Sequence, residues 1–239
     1  MDQRIARPVA RTTGLLYLAL GLTGMAGFLL VRPQVFDPAD AATTAALLVD
    51  HELLARAGVA LELATVVTQA LAALWFVRLF RPVDPFAASA VGALGMMNAV
   101  AILGSTAALG TALDSALAGG QSAPQLLYGL SENLWAAGAA FFGLWLIPMG
   151  RLVLRSGLPR VLGWFLVVGG AGYLLQSFVT FLVPDAGPLA ELLVVPATVG
   201  ELWMIGLLLV IGFRRDRTDD TATTEPALHP GDGAVARGQ

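Results

Sequence analysis

Six long apolar stretches, separated by shorter polar connections, dominate the pattern of the chain. They cover residues 13–31, 57–77, 86–113, 126–149, 160–183 and 189–213. Each is rich in Leu, Val, Ala and Gly, and a bilayer span needs about 20 mostly apolar residues. Because a segment in lipid must satisfy its own backbone hydrogen bonds, each stretch is predicted to be a helix. The pattern predicts an all-α membrane protein, with a bundle of six transmembrane helices in residues 13–213.

The polar connection at residues 37–56 carries helical signals of its own. Asp37 fits an N-cap, Pro38 the favoured first position, and Asp40 the first turn. Apolar residues recur there at the helical period, at Ala42, Ala46, Val49 and Leu53. We predict an amphipathic helix on the outer face, resting on the bundle or the bilayer interface before the second span.

The positions of the arginines predict an orientation. All 14 basic residues are arginine, and Arg32 and Arg56 alone fall on the side opposite to the other twelve. Positive residues collect on the cytoplasmic side of a membrane. We therefore predict a multi-pass protein of the plasma membrane with both termini in the cytoplasm. Residues 1–12 form a cytoplasmic arm, and the polar residues 214–239 form a disordered cytoplasmic tail.

The first stretch follows a basic arm, as the apolar core of a signal peptide does. Its apolar core is longer than that of a typical signal, and no clear cleavage site of small residues follows it. We predict that it is retained as the first transmembrane helix.

Composition excludes several kinds of chemistry. The chain is 56% hydrophobic and 13% charged, against about 25% charged in a soluble domain. It has no Cys for a thiolate site, no Lys for a Schiff base, and two His residues, too few in the spans for a paired-His haem site. His51-Glu52-Leu53-Leu54-Ala55 lacks the second His of a zinc-protease motif. No metal, cofactor or nucleic acid is predicted. His51 is placed at the rim of a pocket, where a response to pH is one alternative.

Polar side chains within the spans are candidates for function, because they are costly to bury in lipid. Three carboxylates, Glu62, Glu132 and Glu201, stand out as tentative catalytic groups. The candidate ligand-binding residues are Gln69, Asn98, Asn133, Tyr173, Gln176 and His51. They fall at central or outer depths, which predicts one polar pocket opening outward. The alternative is that these groups have only a structural role and form hydrogen bonds between helices.

Glu201 is predicted to be the functional centre of this pocket. It is the deepest of the three carboxylates, and Pro196, one turn before it, leaves the Leu192 carbonyl without its helical donor. We expect Glu201 to share one cluster with Glu62 and Glu132. Apart from Arg56 and His51 at the rim, no base is expected at this depth, so Glu201 would exchange a proton near neutral pH.

Several short segments resemble a known family, most clearly in the second half of the chain. They are His51-Glu52-Leu53-Leu54, Leu79-Phe80-Arg81-Pro82-Val83, Phe142-Gly143-Leu144, Leu154-Arg155-Ser156-Gly157, Pro159-Arg160-Val161-Leu162-Gly163, Gly172-Tyr173-Leu174, Ser177-Phe178, Phe181-Leu182-Val183-Pro184 and Val199-Gly200-Glu201-Leu202. Over about residues 7–213 the chain resembles bacterial six-helix membrane proteins grouped as a domain of unknown function, number 4386. The resemblance implies the fold and the membrane location, and no chemistry.

Three functions remain open. The first is binding of a lipid-like or amphipathic small molecule in the outward-opening pocket, with membrane lipid and a hydrophobic small molecule as partners. The second is a membrane enzyme that uses carboxylates as acid and base on an isoprenoid- or lipid-like substrate. The third is a proton-coupled transporter of small solutes. The oligomeric state is left open.

Overall fold

The structure, a computed structural model, describes residues 6–183 and 187–214. The described residues form seven helices and no strand. These are α1 (Arg7–Val35), α2 (Ala41–Asp50), α3 (Glu52–Phe80), α4 (Pro85–Leu117), α5 (Ala123–Arg155), α6 (Arg160–Leu182) and α7 (Gly187–Phe213). All except the short α2 are long and apolar enough to cross a membrane. The predicted all-α bundle with six spans is confirmed.

The spanning helices are longer than the apolar stretches that predicted them. The first begins at Arg7, so half of the predicted cytoplasmic arm is helical. Helices α4 and α5 have 33 residues each, a length of about 50 Å at 1.5 Å per residue. A hydrocarbon core is about 30 Å thick, so these helices extend into the polar regions beyond it. Most of the predicted tail lies outside the described residues.

The short helix α2 differs from the prediction at both ends. It begins at Ala41, and its cap is Asp40, whose carboxylate accepts from the backbone N–H groups of Ala42 and Thr43. Asp37 instead accepts from the N–H of Ala39 in a local turn. The helix ends at Asp50, and residues 52–56 belong to the first turns of α3.

The face of α2 that packs on the bundle also differs from the predicted stripe. The buried residues are Thr44, Ala45 and Leu48, whereas the predicted stripe of Ala42, Ala46, Val49 and Leu53 is exposed. The Thr44 hydroxyl explains this, because its single proton lies within hydrogen-bond distance of two acceptors, the Asp37 carbonyl at 2.9 Å and the Gln125 side-chain oxygen at 2.7 Å. Two polar anchors thus turn α2 toward the start of α5.

The six spanning helices form a closed ring in chain order. Each packs against its neighbours along the chain, and α7 packs back against α1. The short α2 lies over the ends of α3, α4 and α5. Since the helices alternate in direction, the segments rich in arginine gather at one end of the ring. We call the half of the bundle at this end the arginine-rich half, and the half on the α2 side the hollow half.

Aromatic side chains fill the centre of the arginine-rich half. Phe76, Phe80 and Trp145 are fully buried there. The Trp145 ring meets Phe76 at 5.8 Å and Tyr17 at 5.7 Å between centroids. Leu and Met side chains from α5, α6 and α7 complete one continuous core around them. This half is therefore closed.

Glycines allow α5 and α6 to approach closely in the arginine-rich half. A Cβ atom built on Gly150 would lie 2.6 Å from the Gly163 carbonyl oxygen and 2.9 Å from the Val167 nitrogen. Both of these are backbone atoms, which cannot move aside as a flexible side chain can. Contact between backbones is a common way to pack helices in membranes, where lipid gives helices no hydrophobic reason to associate.

Helix α1 changes its winding as it enters the hollow half. Residues Ala26–Val31 form a π-helical segment, a feature often found at functional sites. Within it the Phe28 ring lies 6.2 Å from the Trp135 ring of α5, and just beyond it Arg32 donates to Ser131 on the same helix. The end of α1 therefore contacts α5, a helix that is not its neighbour in the ring.

Candidate functional site

A cavity of about 600 Å³ lies inside the hollow half, and all six spanning helices line it. Its floor consists of Tyr17, Leu20 and Ile205, which also belong to the aromatic core below. Most lining residues are apolar or aromatic, with a few polar groups between them. This size and composition are typical of a small-molecule pocket, for which volumes of roughly 300–1,000 Å³ are usual.

The wall of the cavity is open between α1 and α7. These two helices meet in the arginine-rich half, where Gly14 lies against Leu208. Farther along α1, Gly21 lines the cavity, and a Cβ atom there would meet nothing within 4 Å. The lining residues Leu29 and Leu202 are 62% and 60% exposed. We therefore interpret the gap between α1 and α7, within their apolar spans, as the opening of the cavity.

Six of the nine candidate residues line the cavity. They are Glu132, Glu201, Gln69, Asn98, Tyr173 and Gln176. The other three, Glu62, Asn133 and His51, do not: Glu62 is buried behind the wall, while Asn133 and His51 are exposed. His51 joins α2 to α3.

Glu201 stands at the cavity floor and accepts a hydrogen bond from Tyr17. Its Oε1 lies 2.5 Å from the Tyr17 hydroxyl, and Tyr173 lines the cavity nearby. Helix α7, which carries Glu201, is helical on both sides of Pro196. Sequence reasoning missed Tyr17. A tyrosine inside an apolar stretch was the available signal, but aromatic residues are also common as anchors at membrane interfaces.

Arg32 corrects the expectation that no base lies at the depth of the carboxylates. Its Nη2 donates to the Ser131 hydroxyl at 2.7 Å and lies 3.4 Å from Glu62 Oε1. Its Nη1 lies 3.7 Å from Glu132 Oε1. Arg32 is only 8% exposed. Because α1 continues past its apolar stretch and contains the π segment, this arginine points inward and is not a boundary anchor.

Glu62 is enclosed by donors and acts as the centre of a structural network. Ser105 donates to its Oε2 at 3.0 Å, and Thr106 donates to the same atom at 3.3 Å. The Trp135 indole N–H donates to Oε1 at 3.2 Å. With Arg32, these groups join α1, α3, α4 and α5. A buried carboxylate is stable when it is paired and hydrogen-bonded in this way, and the serines and threonines were the missed signal in the sequence.

The three carboxylates therefore do not share a single set of partners. Glu62 and Glu132 lie around Arg32, whereas Glu201 is bonded to Tyr17. The cavity itself connects Glu132 with Glu201, since both line it. Trp135 stands between the two environments, because it lines the cavity and also donates to Glu62.

Gln69 places a free acceptor beside the cavity. Its Nε2 donates to the Gly95 carbonyl at 3.2 Å. Its Oε1 is buried and has no hydrogen-bond partner among the described residues. An unpaired buried acceptor costs about 1–3 kcal/mol, and because the Gln69 side chain is fully buried, a ligand would reach this oxygen only after the side chain moved.

Comparisons with known proteins identify the family of this chain, but they find no individual protein that matches it. Neither a curated protein nor a solved structure matches the sequence. Across 6–183 and 187–214, no group of three or more His, Asp or Glu side chains is placed to hold a metal ion. The family model described as "Domain of unknown function (DUF4386)" matches residues 12–212. That match covers nearly the whole spanning bundle, and the chain belongs to the DUF4386 family.

Proposed function

We propose that this protein binds an amphipathic, lipid-like small molecule in the cavity of the hollow half. The observation that carries the proposal is the cavity of about 600 Å³ at the centre of the ring. Apolar residues form most of its surface, and the carboxylates of Glu132 and Glu201 stand at separate positions on it. Such a surface suits a molecule with an apolar body and a polar group.

The opening between α1 and α7 supports entry from the bilayer. A lipid-like molecule dissolves in the membrane, so a lateral opening at membrane depth gives it a direct path to the cavity. The exposed leucines Leu29 and Leu202 match an apolar molecule passing between them. The arginine-rich half is closed by Trp145 and its aromatic neighbours, which favours a site reached from one side only.

The proposal includes an orientation in the plasma membrane. With the arginine-rich end in the cytoplasm, both termini are cytoplasmic and the hollow half faces outward. The chain has no cysteine, so single cysteines can report the side. Gly120→Cys, between α4 and α5, should react with an impermeant reagent from outside intact cells, and Ser156→Cys should not. The opposite pattern would reverse the orientation.

Ligand identification with a matched pair of variants tests the binding function. Gly21→Trp places a large side chain at the cavity wall, whereas Gly206→Trp places the same side chain on α7 outside the cavity lining, where a Cβ atom would also meet nothing within 4 Å. Native mass spectrometry of purified protein should show a co-purified molecule on the wild type and on Gly206→Trp, and a loss of it on Gly21→Trp. Equal occupancy in all three would contradict the proposal.

Acid–base catalysis on the bound molecule is the second candidate function. The hydrogen-bonded Glu201–Tyr17 pair at the cavity floor favours it, because a carboxyl group and a hydroxyl group in contact can relay a proton to a reacting atom. An enzyme should convert the identified ligand to a product with a different mass. Tyr17→Phe and Glu201→Gln should both stop this conversion, and a binding protein should show no conversion in any variant.

A further inference from the structure

We propose that the ligand of the cavity is an amphipathic organic cation, a molecule with an apolar body and a positively charged nitrogen or phosphorus centre. This inference rests on the proposed binding function and specifies its ligand class. It comes from two features of one cavity: two carboxylates and several aromatic rings. In the part of the chain that the structure describes, no basic residue lines this cavity.

The charges around the cavity leave a deficit of positive charge. Arg32 is one positive group between two carboxylates, Glu62 and Glu132. Its closer contact is to Glu62, and its separation of 3.7 Å from Glu132 exceeds hydrogen-bond length. Glu132 is therefore only partly compensated, and its side chain is 47% exposed and lines the cavity.

Glu201 lacks a positive partner altogether among the described residues. The Tyr17 hydroxyl is its hydrogen-bond donor, and no ion pair involves it within 6–183 and 187–214. Burying an ionised carboxylate without a counter-charge is costly. Without a cation such a group takes up a proton instead. A cation bound in the cavity supplies the missing charge and favours the ionised form of Glu201, in addition to its attraction to Glu132.

Aromatic rings around the same space add a second attraction for a cation. Phe28, Trp135, Phe142 and Tyr173 line the cavity together with Tyr17. The negative face of an aromatic ring attracts a cation within about 6 Å, and the attraction is larger when water is excluded. The cavity already uses this interaction once, because the Arg32 guanidinium carbon lies 4.9 Å from the Phe28 ring centroid.

Two hydrophobic ions of the same shape and opposite charge test the inference. Tetraphenylphosphonium and tetraphenylborate both carry four phenyl groups, so they differ mainly in the sign of their charge. Equilibrium binding of each is measured on the full chain in nanodiscs of neutral lipid, with empty nanodiscs subtracted, and each affinity is referred to the concentration of that ion dissolved in empty nanodiscs, because the membrane dipole potential favours the anion. The variants are Glu132→Gln, Glu201→Gln and Gly21→Trp. The matched control is Glu52→Gln, since Glu52 is exposed, paired with Arg56 and outside the cavity lining.

The inference expects the cation to bind at least about tenfold more tightly than the anion, a ratio that corresponds to one good charge interaction. Glu132→Gln and Glu201→Gln should each weaken cation binding about tenfold, Glu52→Gln should leave it unchanged, and Gly21→Trp should block it. If both ions bind equally and only Gly21→Trp blocks them, the pocket stands and its preference for cations is wrong. If neither ion binds, or Gly21→Trp has no effect on their binding, the proposed pocket is wrong as well.

Discussion

The two halves of the bundle use the same six helices in opposite ways. In the arginine-rich half, small residues let helices touch through their backbones, and aromatic rings fill the centre. In the hollow half the ring encloses a cavity. There α6 still touches α5 and α7 through Gly143 and Gly172, but polar side chains bridge α1, α3, α4 and α5. Apolar contacts stabilise helices that fit closely together, whereas helices around a cavity are joined by hydrogen bonds and ion pairs between longer polar side chains. The Arg32–Glu62 network supplies those bonds.

This difference assigns distinct roles to residues that look alike in sequence. Glu62 and Glu132 are both carboxylates inside apolar stretches, but Glu62 is buried in hydrogen bonds and Glu132 faces the cavity. Backbone and aromatic contacts hold the helices together in the closed half, and the Glu62 network joins α1, α3, α4 and α5 in the other half. Residues that remain on the cavity wall are then free to contact a ligand.

Loss of Arg32 should give the largest decrease in stability of all the changes considered for the two halves. Arg32→Met leaves Glu62 buried without its counter-charge, and the free energy of unfolding should fall by about 3–5 kcal/mol. The double variant Arg32→Met/Glu62→Gln should recover most of this loss, because it removes the unpaired charge. Denaturant unfolding in one detergent compares the variants. Equal losses in the single and double variants would mean that Arg32 contributes packing and not charge.

Packing against backbone atoms should make the arginine-rich half sensitive to one methyl group. Gly150→Ala places its Cβ against the Gly163 carbonyl oxygen, and we expect a loss of about 1–3 kcal/mol in unfolding free energy. Gly21→Ala adds the same group in the hollow half, where it meets nothing within 4 Å. It should leave stability unchanged or slightly higher, because Ala is the better helix former. Similar losses from both changes in a thermal unfolding assay would contradict the contrast between the halves.

Glu201→Gln should separate function from stability in the hollow half. Gln keeps the size of Glu and an oxygen that accepts from Tyr17, so the free energy of unfolding should change by about 1 kcal/mol or less. Ligand occupancy, or turnover if the protein is an enzyme, should fall strongly, because the charge and its titration are lost. If occupancy and turnover are unchanged in Glu201→Gln while Glu201→Ala only destabilises the fold, then Glu201 has a structural role and no role in function.

The smallest effect is expected at the cap of α2. Hydrogen bonds from the Thr43 hydroxyl and the Ala42 N–H lower the pKa of Asp40 below its ordinary value. Asp40 therefore stabilises α2 while it is ionised. This contribution is present above the ordinary pKa of an aspartate and is lost as the pH falls through the lowered value. Hydrogen exchange in residues 41–50, corrected for intrinsic rates, should show this loss in the wild type. Asp40→Asn should remove the pH dependence, and an unchanged dependence would assign it to another group.

Much of the candidate site could be predicted, because polar side chains inside a membrane span are costly to expose to lipid and therefore face the interior of the bundle. Glu132, Glu201 and Gln69 were expected to face the interior, and all three line the cavity. The grouping of the carboxylates could not be predicted, since it depends on which helices become neighbours. Tyr17 and Glu201 are 184 positions apart along the chain and meet only because the ring closes between α1 and α7.

The sequence by itself determined the number of spans, their helical character and the placement of arginine at alternate connections. These properties follow from local hydrophobicity and from the need to satisfy backbone hydrogen bonds in lipid, and both act within a single segment. Only the tertiary structure decided that Arg32 is a buried partner and not an anchor at the membrane boundary. Its depth depends on the π segment of α1 and on acceptors contributed by α3 and α5, and no property of residues 7–35 alone contains that information.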